Sequence, residues 1–316
     1  MKVGVLHSRV RKDEKLLLEE LRDRDHDVVK LDTRSLRFGL DGETGSEDAF
    51  AEVFDEAAVA DGDGGDDGGG GEDGEPPAAI ADLDVVVDRA MSYSRGLYAV
   101  KFAERYGVPT VNGYETARIC GNKVDTSTAL DRAGVATPDT RVAFTVDSAL
   151  DAVEELGYPV VVKPVVGSWA RLLAKVNDRE AAEAVLEHKD VLGHYEHSVF
   201  YLQDYVEKPD RDIRVMVADD DVVAAMYRSS EDWITNAAHG AETTDCEVTA
   251  EIAKTALDAA EAVGGGVLGV DIMETPEGTL TVHEVNHTLE FKALTEATGV
   301  DVAAAFVDHV ERRAGA

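Results

Sequence analysis

The chain is poor in cysteine, poor in basic residues and without any long apolar run. Its two cysteines, Cys120 and Cys246, lie far apart with no metal-ligand spacing, which argues against a disulfide framework. No stretch is long and apolar enough to span a bilayer, and the N-terminus does not resemble a signal peptide. These absences argue against a membrane protein or a disulfide-stabilised secreted domain, and they predict a cytoplasmic globular protein.

Basic residues are outnumbered by acidic residues along the whole sequence. The chain has 64 acidic and 31 basic residues, a formal net charge of −33. Such a chain repels nucleic acid and anionic membranes, so we expect neither as a partner. The even spread of acidic residues indicates a halophilic protein, because at ~1 M salt the Debye length is about 3 Å and the self-repulsion is screened.

The order of strand-like and helix-like segments predicts an α/β (α+β) fold in three regions, 1–115, 116–208 and 209–316. The first region opens with a βαβ pattern without a glycine fingerprint, so a dinucleotide site is not indicated. It also contains an acidic insert at about 41–80, which includes the stretch DGDGGDDGGGGEDGEPP. This stretch has no apolar anchor to offset its ordering entropy, so we expect a disordered surface loop.

The strongest chemical signal lies near the C-terminus. Two strand-like runs, VLGVDIM and TLTVHEVN, flank the turn-like ETPEG, a pattern that predicts a β-hairpin. If the loop is the four residues Thr275–Gly278, Asp271 pairs opposite Val282, and alternation places Glu284 and Asn286 on the same face as Asp271. Two carboxylates and an amide oxygen suit Mg²⁺. A loop one residue longer would place Asp271 on the other face of the hairpin. The alternative interpretation is a polar edge strand whose acidic side chains are solvated.

Lysine and arginine residues form two further patterns. Lys163 ends an apolar strand and precedes a glycine-containing loop, an arrangement that can hold phosphate, although a snorkelling surface lysine is the alternative. In a second predicted hairpin, pairing of Ala218 with Val222 would place Arg214 and Arg228 on one face. Two such arginines could clamp a phosphoryl or carboxylate group, or they could simply pair with nearby acids.

In chain order, these patterns resemble the ATP-grasp superfamily and, within it, the LysX/ArgX ligases of lysine and arginine biosynthesis, which are related to RimK-type glutamate ligases. Five segments carry the resemblance: GSWARLLAKV (167–176), EHKDVLG (187–193), FYLQDYVEKPDRDIRV (200–215), DWITNAAHG (232–240) and EVNHTLEFK (284–292). The resemblance implies an ATP-grasp fold. It implies a pre-ATP-grasp domain at 1–115, a central subdomain with the phosphate loop at 116–208, and a C-terminal subdomain with the metal site at 209–316.

The resemblance also implies roles for individual residues. The implied ATP-binding residues are Lys123, Lys163, Gly167, Ser168, Gln203, Asp204, Val206 and Glu207. The implied catalytic residues are Arg214 and Asn236, and the implied substrate-binding residues are Arg228, Trp233, Thr288 and Glu290. The implied metal ligands are Asp271, Glu284 and Asn286, which would hold two Mg²⁺, with Mn²⁺ as the alternative metal.

The activity that the resemblance implies is ATP-dependent carboxylate–amine ligation. The α-amino group of glutamate or 2-aminoadipate would be joined, through an acyl phosphate, to the C-terminal glutamate of LysW, a small acidic carrier protein. The two amino acids differ by one methylene, worth only about 1–3 kcal/mol in a pocket, and analogy with salt-adapted chains favours glutamate. The alternatives are a RimK-like ligase that glutamylates the C-terminus of another protein, and a non-catalytic ATP-binding regulator. A homo-oligomer is expected.

Two residues depart from the family pattern. Ala170 stands where the family has a second loop glycine, and alanine is strained there if that glycine needs a positive φ. His239 stands where relatives have an arginine, and a neutral histidine holds an anion less well than arginine does.

Overall fold

The computed structural model describes residues 1–38, 80–167, 172–192, 198–230, 232–233, 235 and 240–315. The predicted insert at about 41–80 therefore lies almost entirely outside the described residues. The chain forms two units, Met1–Tyr114 with Val310–Ala316, and Glu115–His309. The division into three regions stays a prediction.

The first unit contains a parallel four-stranded sheet with the strand order β2-β1-β3-β4. Its strands are β1 (Lys2–His7), β2 (Asp27–Asp32), β3 (Val85–Asp88) and β4 (Thr110–Val111), and its helices are α1 (Lys12–Asp23) and α2 (Tyr93–Arg105). The apolar runs of β1 and β3 are buried, as expected for parallel strands covered on both faces. The sequence pattern predicts strands at Lys2–Leu6, Asp27–Leu31, Asp84–Asp88 and Pro109–Val111, and each observed strand agrees with these positions to within a residue or two. It also predicts a helix near Gly96–Tyr106, and α2 begins three residues earlier.

The second unit contains two antiparallel sheets. The first has the order β5-β8-β6-β7 and comprises β5 (Thr140–Ala143), β6 (Val160–Lys163), β7 (Ala174–Val176) and β8 (Phe200–Asp204). The second has the order β11-β10-β9-β12-β13 and comprises β9 (Arg211–Ala218), β10 (Asp221–Ser229), β11 (Glu242–Asp245), β12 (Val267–Glu274) and β13 (Leu280–Asn286). The remaining helices are α3 (Tyr114–Cys120), α4 (Lys123–Ala133), α5 (Val146–Leu156), α6 (Arg179–Leu192), α7 (Ala250–Ala262), α8 (Lys292–Thr298) and α9 (Val302–Ala314).

The sequence pattern predicts a helix over Lys123–Ala133 that ends at Gly134, and α4 has these bounds because both of its ends are set by local residues. The side chain of Asn122 accepts hydrogen bonds from the backbone amides of Val124 and Asp125, which caps the N-terminus. Gly134 ends the helix in the left-handed conformation, with φ 71°. Lys123 is therefore held in the first turn of a well-defined helix.

The hairpin β9–β10 differs from the predicted register at its turn. Ala218 pairs with Asp221 and not with Val222, so the turn is one residue shorter than predicted. A β-bulge at Val223 then restores the predicted pairing farther along, where Arg214 lies opposite Met226. The predicted common face of Arg214 and Arg228 is thus confirmed, while the pairing at the turn was wrong.

The hairpin β12–β13 also differs from its predicted register, but its loop is longer than predicted and not shorter. Glu274 pairs with Leu280, so the loop has five residues, and Asp271 pairs with Glu284 and not with Val282 as predicted. The longer loop alone would turn Asp271 to the other face, but a β-bulge at His283 turns the strand back. The predicted common face of Asp271 and Glu284 is confirmed, although the predicted pairing was wrong.

Apolar packing beneath the five-stranded sheet holds both hairpins in place. Val215, Val217, Leu268 and Val270 are fully buried and belong to the same cluster as Ala256 of α7. A separate buried cluster joins the four-stranded antiparallel sheet to α5 and α6. Both cysteines are free and buried. No helix within the described residues is long and apolar enough to cross a membrane.

Candidate active site

One pocket of the second unit is lined by residues of both antiparallel sheets. On the side of the four-stranded sheet and its loops the lining residues are Val161, Lys163, Pro164, Gly167, Leu173, Gln203, Asp204, Tyr205 and Val206. The others are Lys123, Lys208, Asp212, Arg228, Trp233, Thr235, Asp271, Met273, His283 and Glu284. The pocket therefore brings together residues that are up to 161 positions apart in the sequence.

Lys163 enters the pocket from the end of the buried strand β6. Its ammonium group donates a short hydrogen bond to the side-chain oxygen of Gln203 and lies 3.3 Å from Nδ1 of His283. Burial, opposed by Glu284 and assisted by Lys123, lowers the pKa of Lys163 to about 7. Burial and the neighbouring Lys163 also lower the pKa of His283 well below its usual value, so this imidazole is neutral at pH 7.

Lys123 lines the same pocket from the first turn of α4. Its ammonium group donates a 2.8 Å hydrogen bond to the carbonyl oxygen of Gly167 and lies 3.5 Å from a carboxylate oxygen of Glu284. Gly167 has a φ of 144°, which L-residues with a side chain rarely adopt. Two lysines and a glycine-containing loop thus border the same pocket, a combination that suits phosphate groups.

Asp271 is the most strongly paired carboxylate of the site. Arg214 lies directly opposite it on β9 and contacts both of its oxygens, with Nη2 at 2.9 Å from Oδ2. Arg228 adds a contact of 3.1 Å from Nη2 to Oδ1. Burial alone would raise the pKa of Asp271, but the two arginines lower it to about 2, so the carboxylate stays ionised near neutral pH.

The close approach of Arg214 to Asp271 depends on a glycine in β12. A Cβ atom at Gly269 would lie 2.6 Å from a methyl carbon of Leu289 and 3.4 Å from Nη1 of Arg214. A side chain at this position would therefore displace Leu289 and crowd the guanidinium group. Gly269 faces Asn286 in the ladder, and Nδ2 of Asn286 lies 3.5 Å from Oδ2 of Asp271.

A second buried network extends from Arg228 away from Asp271. Asp212 accepts a 2.6 Å hydrogen bond from Nε of Arg228 and a short one from the hydroxyl of Thr235. Lys208 in turn donates a 2.8 Å hydrogen bond to the Thr235 hydroxyl. Burial would lower the pKa of Arg228, but Asp271 and Asp212 raise it, so the guanidinium remains charged. Together with the pairs at Asp271, this network orders three cations, Arg214, Arg228 and Lys208, around the two carboxylates Asp271 and Asp212.

Aromatic side chains form the part of the pocket next to the loop after β8. The ammonium group of Lys175 lies 3.4 Å from the ring centroid of Tyr205, and the Tyr205 and Trp233 rings are 6.4 Å apart in an edge-on arrangement. Val206 lines the same region. A flat, partly apolar group such as a purine would be accommodated by these surfaces.

The structure brings together most of the residues that the sequence singled out. Those that line the pocket are Lys123, Lys163, Gly167, Gln203, Asp204, Val206, Arg228, Trp233, Asp271 and Glu284. Arg214 and Asn286 contact Asp271 without lining the pocket, whereas Glu207, Thr288 and Glu290 do not line it. Ser168 and Asn236, and the two departures Ala170 and His239, lie outside the described residues.

Sequence reasoning missed Lys208, Thr235 and His283. Lys208 and Thr235 stand within the quoted segments FYLQDYVEKPDRDIRV and DWITNAAHG, so their neighbourhood was available as a signal. Nothing local distinguishes His283 from any other strand residue. It reaches the pocket because it is the bulged residue of β13.

The donor atoms around Asp271 fit a hard divalent cation. Within the described parts of the chain, no group of three or more His, Cys, Asp and Glu side chains has the geometry of a self-sufficient metal site. The set present is two facing carboxylates, Asp271 and Glu284, with the amide of Asn286 beside them. Mg²⁺ typically binds one or two carboxylates and completes its coordination with water and substrate phosphates, so this small oxygen set suits it.

The sequence matches two protein-family models. Residues 120–310 match the RimK-like ATP-grasp domain, and residues 3–60 and 72–119 match the LysX preATP-grasp domain. The α-aminoadipate–LysW ligase LysX of Sulfurisphaera tokodaii is 29% identical over 98% of this chain and 98% of its own length. The glutamate–LysW ligase ArgX of Sulfolobus acidocaldarius is 34% identical over 74% of this chain and 83% of its own length.

Solved structures of ATP-grasp proteins have the same fold as this chain. A RimK-domain ATP-grasp protein from Sphaerobacter thermophilus covers 98% of this chain and 99% of its own, with a TM-score of 0.75 at 24% identity. The D-alanine–D-alanine ligase of Bacillus anthracis complexed with ATP covers 99% and 97%, with a TM-score of 0.66 at 17% identity. The predicted fold class and resemblance are confirmed: the chain belongs to the RimK-like ATP-grasp family of ligases.

Proposed function

We propose that the protein is an ATP-dependent ligase that joins the α-amino group of an acidic amino acid to the γ-carboxyl group of the C-terminal glutamate of a LysW-type carrier protein. The observation that carries this proposal is the match of the N-terminal region to the LysX preATP-grasp domain. The tetrahydromethanopterin:α-L-glutamate ligase of Methanococcus maripaludis is also similar, at 36% identity over 66% of this chain, so similarity to a RimK-like ligase does not by itself define the acceptor. The N-terminal match therefore separates the LysW-type ligases from the wider family.

The two lysines of the pocket are suited to the phosphates of ATP. Lys123 is held toward the pocket by the Gly167 carbonyl, and Lys163 by Gln203. With a pKa of about 7, Lys163 is only partly protonated before ATP binds, and an adjacent phosphate would favour its charged form. Both residues act by position and charge, which is what phosphoryl transfer requires of a protein. The aromatic region at Tyr205 and Trp233 would hold the base.

The carboxylates Asp271 and Glu284, with Asn286, are the residues that would hold Mg²⁺. Bound there, Mg²⁺ would neutralise the charge of the ATP phosphates. Because Arg214 and Arg228 hold the pKa of Asp271 at about 2, this ligand needs no deprotonation near neutral pH. How many ions bind, and whether Mn²⁺ replaces Mg²⁺, can be measured by titrating the metal-free protein.

The arginines and Lys208 are suited to the transferred group. The carrier's γ-carboxylate attacks the terminal phosphate of ATP, which forms an acyl phosphate and releases ADP. The amino group of the amino acid then attacks the acyl carbon, and inorganic phosphate leaves as the amine gives up a proton. Every species in these two steps carries negative charge. Arg214, Arg228 and Lys208, ordered by Asp271 and Asp212, supply positive charge without moving far.

The amino acid substrate is proposed to be glutamate, with 2-aminoadipate as the competitor. Relatives of both specificities are equally similar, since LysX of Saccharolobus solfataricus and ArgX of Sulfolobus acidocaldarius are both 34% identical. The test incubates the enzyme with ATP, Mg²⁺, a LysW-type carrier and both amino acids, and reads the intact mass of the carrier. A glutamate adduct supports arginine biosynthesis, and a 2-aminoadipate adduct supports lysine biosynthesis.

A second candidate is a ligase that adds glutamate to another acceptor. The 36% identity to the tetrahydromethanopterin ligase favours it. The same assay separates the candidates: if the carrier mass does not change while ATP-dependent glutamylation of another acceptor occurs, the carrier function is wrong.

Salt adaptation, a cytoplasmic location and a homo-oligomeric state are also proposals. The formal charge of −33 supports the first, because self-repulsion destabilises the fold until it is screened. We expect the melting temperature to rise steeply between dilute buffer and molar KCl. A flat dependence would rule out salt adaptation, and light scattering in molar KCl would give the oligomeric state.

A further inference from the structure

Three hydroxyl groups that do not line the pocket are joined to Lys163 through Gln203. They belong to Tyr201 of β8, Thr140 of β5 and Ser127 of α4. Lys163 donates a hydrogen bond to Oε1 of Gln203, and Nε2 of Gln203 lies 3.1 Å from the hydroxyl oxygens of both Tyr201 and Thr140. The Tyr201 hydroxyl in turn lies 2.7 Å from that of Ser127. These five side chains, here called the hydroxyl network, connect Lys163 to β8, β5 and α4.

The centre of the hydroxyl network is closed to solvent. Lys163 and Tyr201 are each 2% exposed and Gln203 is 1% exposed, while Thr140 and Ser127 are half-buried. A buried polar atom without a partner is costly, and both the oxygen and the nitrogen of the Gln203 amide have partners here. Satisfied buried networks of this kind hold their members rigidly. The position of the Lys163 ammonium is therefore set by protein groups and not by water.

The order of donors and acceptors determines which way the Gln203 amide faces. Thr140 donates its own proton to the carbonyl oxygen of Pro138, at 2.9 Å, so its oxygen is the acceptor for Gln203. Burial raises the pKa of Tyr201, so the phenol stays protonated, accepts from Gln203 and donates to Ser127. Both hydroxyl oxygens thus face Nε2, and Oε1 faces the ammonium group. A reversed amide would present a donor to an ammonium group, which has no acceptor.

Gln203 orients the Lys163 ammonium without neutralising it. An amide oxygen accepts a hydrogen bond but carries no net charge, whereas a carboxylate at this position would form a buried ion pair. The titratable side chains that face or contact Lys163 are Lys123 of α4, Lys189 of α6, Tyr201 of β8, and His283 and Glu284 of β13. Of these, Glu284 favours the charged form of Lys163 and Lys123 opposes it. The positive charge is consequently left available to a phosphate group.

We propose that Tyr201 and Thr140 are positioning residues of the ligase reaction. Through the Gln203 amide, they hold the ammonium group of Lys163 in the place where it meets a phosphate of ATP. This inference rests on the proposed function, which assigns Lys163 to the phosphates. Ser127 extends the network to α4, the helix that carries the second lysine of the pocket. Phosphoryl transfer depends on the positioning of charge, so residues that never touch ATP can set its affinity.

The test measures the Kd for ATP by calorimetry, with Mg²⁺ present and without carrier or amino acid. Tyr201→Phe and Thr140→Val each remove one hydroxyl group and keep nearly the same side-chain volume. Thr140→Ser retains the hydroxyl and is the conservative rescue. The control Tyr227→Phe removes a hydroxyl from a half-buried tyrosine of β10 that packs on Arg211 and does not line the pocket. Circular dichroism confirms that each variant is folded.

We expect Tyr201→Phe and Thr140→Val each to raise the Kd for ATP at pH 8 by about threefold to tenfold, the range for one lost hydrogen bond. Thr140→Ser and Tyr227→Phe should change it by less than about twofold. The loss should shrink to about twofold at pH 6, because removing the oriented acceptor lowers the pKa of Lys163 from about 7, and protonation at low pH restores the charge. A loss of equal size at both pH values would indicate a purely structural role and overturn the inference.

A double-variant cycle tests whether Tyr201 acts through Gln203. Gln203→Leu removes the amide, so adding Tyr201→Phe to it should change the Kd for ATP by less than about twofold, since no amide remains to be oriented. Full additivity of the two substitutions would show that Tyr201 acts by another route and would overturn the inference. Wild-type affinity in both Tyr201→Phe and Thr140→Val would also overturn it.

Failure of this inference is distinguishable from failure of the proposed function. If Lys163→Met raises the Kd for ATP by at least about tenfold, as loss of a charged partner predicts, while the hydroxyl variants bind like the wild type, the role of Lys163 stands and the inference falls. If Lys163→Met binds ATP normally, both fall. If ATP binding follows the expected pattern but the carrier is never ligated, the network stands and the carrier assignment falls.

Discussion

The two hairpins of the candidate site supply opposite charges and reach their registers by opposite routes. Hairpin β9–β10 supplies Arg214 and Arg228, and its turn is one residue shorter than the sequence predicts. Hairpin β12–β13 supplies Asp271 and Glu284, and its loop is one residue longer. Each contains one bulge that compensates for its turn. As a result, all four side chains share one face of the sheet.

The two bulges differ in what they place near the chemistry. The extra residue of β10 is Val223, which does not line the pocket. The extra residue of β13 is His283, which lines it and lies 3.3 Å from Lys163. The bulge at Val223 corrects only the strand register, whereas the bulge at His283 also places a side chain in the pocket. The difference shows that register, and not turn length, determines which residues meet.

The largest expected effect follows from removing the acids of β12–β13. We expect Asp271→Asn and Glu284→Gln each to reduce ATP turnover by at least about 100-fold, because charge stabilisation of the transferred phosphate is lost. Coupled-enzyme detection of ADP measures this, with Asp258→Asn as the control, since Asp258 is an acid of α7 whose side chain is 43% exposed and pairs with Lys254. Near-normal turnover in either variant would show that the metal-ligand assignment is wrong.

The acid of β9–β10 is expected to matter for stability as well. Asp212 is buried and contacts Arg228 and Thr235. In Asp212→Asn, the buried positive charge of Arg228 is therefore balanced by Asp271 alone. We expect a loss of about 3 kcal/mol in the free energy of unfolding, measured by denaturant titration in molar KCl. Asp221→Asn, an exposed acid at the start of β10, is the control. A loss below about 1 kcal/mol would mean that solvent or local rearrangement compensates the cations.

The pH dependence of ATP binding should reveal Lys163, the lysine that contacts His283 of hairpin β12–β13. The pKa of Lys163 is about 7 in the free protein, and bound phosphate raises it toward its ordinary value. The protonated form binds ATP, so affinity is highest below pH 7 and falls above it, by up to about tenfold per pH unit. Calorimetry from pH 7 to 9 measures this. In Lys163→Arg, which stays charged, the slope should vanish, and a persistent slope would assign the titration to another group.

The smallest expected effect is on the KM for ATP when the bulged residue of each hairpin is replaced by alanine. His283→Ala removes a side chain that contacts Lys163, and we expect the KM for ATP to rise by about threefold to tenfold, the range for one lost polar contact. Val223→Ala should change the KM by less than about twofold, since Val223 does not line the pocket. Equal effects of the two variants would mean that the bulges act on backbone geometry alone.

Much of the fold could be predicted because its signals are local. Helix α4 has its predicted bounds because Asn122 and Gly134 are a cap and a left-handed terminus that depend only on neighbouring residues. Thr249 likewise caps α7 through the amide of Ile252. Strand alternation correctly grouped Asp271 with Glu284. It could not identify their true pairing, because the bulge at His283 depends on contacts with other strands.

The candidate site was less predictable because its contacts cross the chain. Lys208 and Thr235 belong to one network, but they are joined by Asp212 and Arg228 and not by any sequence spacing. Thr288, implied by family likeness, follows β13 closely in sequence yet does not line the pocket. Proximity in sequence to a site residue therefore did not ensure proximity to the site.

The sequence by itself determined the element types, the net charge, the family and the chemical character of the site, because caps, alternation, composition and motifs are properties of neighbouring residues. Only the tertiary structure decided which residues oppose one another, which charges are buried and how far their pKa values move. Those quantities depend on bulges, on packing beneath the sheet and on the desolvation of Lys163 and Asp271. Desolvation arises from atoms that are distant in the chain, so no local pattern records it.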